Sequence, residues 1–194
     1  MRAIAFVPAF VEDRRDAAGL EARTGRATAR LIFGHVGTGK TTFARRLERE
    51  LPGICFSHDA WMTRLHGSDP PADTFRERAQ VVSVLMEEVW TRCLFLGLDV
   101  VLDFGFWTRR ERDATREVVR RLGAASVLYR LACPETEAWA RVEGRNREPG
   151  EHLTIARATF DALRQRVEPL GPDEERVDVA GSGLPTAVAG AMRR

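Results

Sequence analysis

The stretch Ala29-Arg30-Leu31-Ile32-Phe33-Gly34-His35-Val36-Gly37-Thr38-Gly39-Lys40-Thr41-Thr42 decides how this chain folds. It begins as a short apolar strand and runs directly into the pattern G-x-x-x-x-G-K-T. From Lys40 onward the apolar residues Phe43, Ala44, Leu47 and Leu51 fall at helical spacing, and Pro52-Gly53 ends the run. Strand, glycine loop and helix in that order make a phosphate-binding loop. Glycines allow successive backbone N–H groups to curl around phosphate oxygens, and the helix N-terminus adds the positive end of its dipole. Gly34, Val36, Gly37, Thr38, Gly39, Lys40, Thr41 and Thr42 are therefore expected to line bound phosphates. The Lys40 ammonium would reach the β- and γ-phosphates, and the Thr41 hydroxyl would ligate Mg²⁺.

Composition singles out the same lysine. The 194 residues carry 30 basic side chains and 28 acidic ones, and every basic residue but Lys40 is Arg. A compact ammonium and a planar guanidinium are not interchangeable in a tight site, so the lone lysine marks a place where arginine would not serve. The length is that of one domain, large enough to fold without disulfide or metal staples. No apolar run approaches the roughly 20 residues of a membrane span. With 44% hydrophobic residues, the chain is neither a fibre nor a disordered tail. Cys55, Cys93 and Cys133 are odd in number and widely spaced, as expected of reduced, mostly buried thiols in a cytoplasmic protein. Ala3–Val11 is apolar but is followed by Glu12-Asp13-Arg14-Arg15, which does not suit an export signal.

Residues 1–28 show no apolar period and are expected to form a mobile extension to a domain covering 29–194. Within that domain Ile54–Phe56, Asp99–Asp103, Ser126–Leu131 and Arg176–Val179 read as further strands. A helix is expected over about 74–97, opened by a capping box at Thr74 and Glu77, with Val82, Leu85, Val89, Cys93 and Leu96 facing inward. A second capping box, Thr108 with Glu111, opens a helix to about Leu122-Gly123. Further helices are expected from Pro134 to about Gly144, over about 154–168 and over Thr186–Met192. Short apolar strands alternating with helices indicate an α/β fold, a parallel sheet covered on both faces.

Two aspartates stand where strands end. Val100-Val101-Leu102-Asp103 has the form of a Walker B strand, so Asp103 would hold the metal beside the phosphate loop. Phe104 follows it, where a motor-type ATPase would carry Glu. A guanine-reading [NT]-K-x-D sequence is impossible in a chain with one lysine. Asp59, after Phe56-Ser57-His58, should open onto the same crevice, because neighbouring parallel strands end along one edge. There it could accept a proton from an attacking hydroxyl, or serve as a helix N-cap. Arg141, Arg145 and Arg147 flank Asn146 in an arginine-rich lid over about 141–152, with Arg145 placed to neutralise a transferring phosphoryl group. Trp61, Arg64, His66, Phe104, Phe106 and Trp107 form a candidate acceptor wall. The helix over 109–121 carries six arginines against Glu111, Asp113 and Glu117, as a solvated basic face would.

Over about 29–170 these features resemble a P-loop kinase. The likeness is to ATP-binding kinases grouped with chloramphenicol phosphotransferase, zeta toxin and the kinase domain of polynucleotide kinase. The resemblance implies a nucleoside-monophosphate-kinase-like P-loop NTPase fold with five parallel strands in the order 2-3-1-4-5. It implies ATP with Mg²⁺ as donor, and an acceptor hydroxyl oriented by Asp59. Polynucleotide kinases carry Arg three residues beyond that carboxylate, and here the place is Met62, which favours a small-molecule acceptor over nucleic acid. The expected function is transfer of the γ-phosphoryl group of ATP to a small-molecule hydroxyl, by a monomer or homodimer away from membranes. An ATP-binding regulatory module without transfer and a nucleic-acid 5′-hydroxyl kinase are the alternatives.

Overall fold

The computed structural model describes residues 26–148, 150 and 152–179. Of the expected extension over residues 1–28, residues 1–25 lie outside the described residues, as does the expected helix Thr186–Met192. Ala27 is buried and Thr28 already belongs to the first strand, so the folded domain reaches further back than position 29. The strands are β1 (Thr28–Phe33), β2 (Ile54–Ser57), β3 (Val100–Gly105), β4 (Ala125–Leu131) and β5 (Val177–Val179). The helices are α1 (Lys40–Glu50), α2 (His58–His66), α3 (Ala72–Phe95), α4 (Arg109–Arg121), α5 (Glu135–Asn146) and α6 (Arg157–Gln165). All strand pairs are parallel, in the order β2-β3-β1-β4-β5. This is the P-loop kinase-like fold that the resemblance implies.

Alternation along β1 shows why the sheet needs cover on both sides. Ala29, Leu31 and Phe33 join one core with Met62, Met86, Trp90 and Leu102, while Ile32 joins Phe43, Leu47, Val101 and Tyr129 in the other. The N-terminal end of β1 is fixed by polar contacts. The Thr28 amide donates to Asp99 Oδ1 at 2.8 Å, and Arg26 donates to the carbonyls of Gly123 and Ala124.

Several local expectations are corrected. The capping box at Thr74 and Glu77 does not form, because α3 starts two residues earlier behind Pro71, inside which Thr74 is already helical. The inward stripe of α3 is also rotated: Val82, Met86, Trp90, Cys93 and Leu94 are buried, whereas Leu85, Val89 and Leu96 are exposed. Apolar residues occupy most of this helix's circumference, so spacing alone could not choose the face. At α4 the box of Thr108 with Glu111 is present in both directions.

The face of α4 is not uniformly solvated. Arg112 has no exposed surface and pairs with buried Glu174, a partner 62 residues away that periodicity could not supply. The thiols are free, but only Cys93 is buried, with Cys55 and Cys133 at intermediate depth. Among the described residues no helix is long and apolar enough to cross a membrane.

Candidate active site

At the C-terminal edge of the sheet Ser57 of β2 lies opposite Asp103 of β3, and Phe33 of β1 lies opposite Gly105 of β3. The loop from Gly34 to Gly39 leaves this edge and enters α1, whose first residue is Lys40. Two glycines are required by close approach. A Cβ on Gly37, which has φ of 83°, would stand 2.3 Å from the carbonyl oxygen of Ala138 in α5. A Cβ on Gly34 would stand 2.7 Å from the Leu131 carbonyl and from Thr38 Oγ1. Val36 packs with Ala138, Val142, Ile155 and Phe160, which ties the loop to α5 and α6. The His35 carbonyl accepts from Thr38 Oγ1 at 2.8 Å and from Lys40 Nζ at 2.9 Å. Thr42 follows in the first turn of α1.

Behind the loop, Asp103 is buried and organises two hydroxyls. Thr41 Oγ1 donates to its Oδ2 at 2.7 Å, and Ser57 Oγ donates to the same oxygen at 3.1 Å. Burial raises the Asp103 pKa, partly opposed by Lys40 and by the Thr41 hydrogen bond. Desolvation lowers that of Lys40, against the pull of Asp103 and Asp59. Ser57 is a site residue that the strand reading passed over, although it lies within the quoted Phe56-Ser57-His58-Asp59.

Asp59 lies in the first turn of α2 and is not its N-cap; Ser57 holds that position. The carboxylate is 48% exposed, so it faces an opening. Desolvation works to raise its pKa, but His58, with Nδ1 4.0 Å from Oδ1, and the charges of Lys40 and Arg145 bring it below the ordinary value. His58 in turn places Nε2 3.2 Å from the Ala79 carbonyl of α3. The Ala79 contact was not legible in the sequence, since it is set by where α2 meets α3.

The arginines divide. Helix α5 continues two residues beyond the expected Gly144, so Arg145 projects from a helix. Its Nε and Nη2 are buried with no hydrogen-bond partner, and it feels the charges of Asp59 and Asp103. Burial lowers its pKa. Arg141 Nη1 stands over the phosphate loop, 3.4 Å from the Gly37 carbonyl. Arg147 is instead largely exposed and pairs with Glu143 at 3.4 Å, away from this cluster. Asn146 fixes the far side of the lid segment: its side chain donates to the Ile155 carbonyl at 2.8 Å and accepts from the Ile155 amide at 3.2 Å.

Of the candidate acceptor wall, Phe106 is buried in the core, and Trp107 Nε1 donates to the Gly34 carbonyl at 3.1 Å. Trp107 thereby supports the phosphate loop. Trp61 and Phe104 are partly buried against the core, and Met62 is fully buried.

Residues 30–170 match the family described as AAA domain. The chain belongs to that family. It is thus a P-loop nucleotide-binding domain, and solved structures agree in fold. It is similar to a sugar kinase from a Janibacter species, at 18% identity and TM-score 0.58, over 85% of this chain and 91% of that one. A gluconokinase from Sinorhizobium meliloti aligns at 17% identity and TM-score 0.56, over 86% and 87%. The APS kinase of Mycobacterium tuberculosis in complex with AMPPNP and APS aligns at 15% identity and TM-score 0.51, over 86% and 96%. No curated protein matches the chain.

Proposed function

We propose that the domain is an ATP-dependent phosphotransferase that moves the γ-phosphoryl group to a hydroxyl of a small molecule. The observation that carries this reading is Arg145, whose Nε and Nη2 are buried without a hydrogen-bond partner and which feels the charges of Lys40, Asp59 and Asp103. A cation left unsatisfied in a desolvated cleft costs free energy unless an anion completes it. A phosphoryl group fits that need.

The donor set also fits Mg²⁺. Thr41 and Asp103 would hold it, with Ser57 orienting the Asp103 carboxylate. The ion's contribution there is to neutralise charge on the β- and γ-phosphates. The Gly34–Gly39 backbone and Lys40 bind the phosphate oxygens, and Arg141 covers the loop from outside. Arg145 stabilises the charge spread over the transferring group. Asp59, ionised at neutral pH and open to the cleft, orients the acceptor hydroxyl and takes its proton at a carboxylate oxygen. The reaction leaves ADP and a phosphate monoester.

Three arginines of α4 are neutralised within the fold: Arg109 pairs with Asp113 and Asp173, and Arg112 and Arg116 with Glu174. This weakens α4 as a nucleic-acid surface and favours a small acceptor. The deciding experiment offers the purified protein γ-labelled ATP with a panel of sugars, nucleosides and other small alcohols, and with 5′-hydroxyl oligonucleotides. Label on a small molecule, lost in Asp59→Asn, is the expected result. Nucleotide binding with no transfer to any acceptor would make the domain a regulatory module, and transfer to oligonucleotides alone would make it a nucleic-acid kinase.

A further inference from the structure

Helix α5 ends without the glycine that commonly closes a helix. Arg147 and Glu148 follow it, and their amides turn back to the carbonyls of Gly144 and Arg145 at 3.1 and 3.0 Å. The last residue of the helix is Asn146, the single asparagine of the chain. Its carboxamide takes both backbone groups of Ile155, donating from Nδ2 to the carbonyl at 2.8 Å and accepting from the amide at 3.2 Å. That is the pairing a neighbouring strand would offer, made here by one side chain.

The residues on the far side of this pairing are themselves anchored. Ile155 is buried with Val36, Val142 and Phe160, beside the phosphate loop. Leu153 is buried in the core that holds Met62 and Phe106. Between them the Thr154 amide donates to the Ser68 carbonyl at 2.8 Å, in the turn between α2 and α3. Asn146 therefore joins the end of α5 to three consecutive residues that the fold already holds.

Arg145 precedes Asn146 in that last turn. Helix ends fray, because their final carbonyls lack partners within the helix. Nε and Nη2 of Arg145 make no hydrogen bond that would fix the guanidinium from its far end, so its place is set from the backbone. We propose that Asn146 is a positioning residue, which ties the last turn of α5 to residues 153–155 and so keeps Arg145 at the site. The inference rests on the assignment of Arg145 to the γ-phosphoryl group made above. Both ends of the carboxamide are needed. An aspartate of the same size would set a carboxylate oxygen against the Ile155 carbonyl, and alanine would leave the amide and carbonyl of a buried residue unpaired.

Calorimetric titration of the full chain with ADP or with AMPPNP, each with Mg²⁺, tests the role. Arg145 meets only the γ-phosphoryl group, so Asn146→Ala and Asn146→Asp should each lower AMPPNP affinity about tenfold while ADP affinity stays within about twofold. Arg145→Ala should lower AMPPNP affinity at least as far, and adding Asn146→Ala to it should change nothing more, because both act through one contact. Melting transitions show that the variants fold, and Asn146→Asp, which keeps the size and one of the two bonds, serves where alanine does not. Equal losses for ADP and AMPPNP, or losses that add to those of Arg145→Ala, would make Asn146 a structural tie alone and overturn the proposal. Wild-type AMPPNP affinity in both Asn146 variants would overturn it too. A wild-type preference for AMPPNP over ADP in Arg145→Ala is a separate outcome: it removes Arg145 from the γ-phosphoryl group, and this inference falls with that assignment.

Discussion

Arg112 in α4 and Glu174, just before β5, form a two-pronged ion pair with Nε–Oε1 at 2.7 Å and Nη2–Oε2 at 2.8 Å. Neither side chain is more than 1% exposed. Arg112 also donates to the carbonyls of Phe106 and Trp107, and Trp107 donates to Gly34. Phe106 has φ of 50°, a left-handed conformation that this set of bonds holds in place. The segment leading into β5 thereby fixes the loop that supports the phosphate loop.

Breaking this pair from one side leaves an uncompensated charge in the core. Glu174→Ala should cost about 3–5 kcal/mol, read from denaturant unfolding. The hydrogen bond from Arg112 holds the Glu174 carboxyl down at about 2, below its unfolded value. A lowered folded pKa lends stability that is complete above about pH 5 and is lost as pH falls toward 2. Melting curves across that window should be steeper in pH for the wild type than for Glu174→Gln.

Lys40→Met should abolish detectable ATP binding in calorimetric titration, because the ammonium is needed by phosphate. The melting temperature should stay the same or rise, since the change removes a desolvated cation. Wild-type affinity in this variant would defeat the phosphate-loop assignment.

The arginines should separate by position. Arg145→Ala should lower turnover by about 10³–10⁵-fold, the range for an arginine that neutralises transition-state charge. Arg147→Ala should leave it unchanged, because Arg147 pairs with Glu143 at the surface. Steady-state rates of the two variants side by side are the measurement.

The aspartates should separate as well. Asp59→Asn should keep nucleotide affinity while transfer falls by about 10²–10⁴-fold, the usual contribution of a positioned base. Asp103→Asn should instead raise the Mg²⁺ concentration needed for half-maximal activity. Ser57→Ala should do so more mildly, through loss of one hydrogen bond to the same carboxylate. Magnesium titrations of the three variants distinguish these outcomes.

Residues that act through backbone and local spacing were legible in the chain. Gly34–Thr42 announces a strand, a phosphate-binding turn and a helix because each part obeys a short-range rule. The Thr108 and Glu111 cap, the apolar β3 strand before Asp103 and the alternation that demands a doubly covered sheet are local in the same sense. Tertiary structure alone decided which face of α3 turns inward, since Val82 and Leu85 are equally apolar and only the neighbours differ. It alone separated Arg145 from Arg147, two residues apart on one basic stretch but on different sides of α5 and its end. It also brought Ser57 to Asp103 and Glu174 to Arg112, across 46 and 62 residues of sequence. Periodicity specifies an element and its apolar positions, but the partner of a polar side chain is set by which elements meet, and that is a property of the packed sheet and helices.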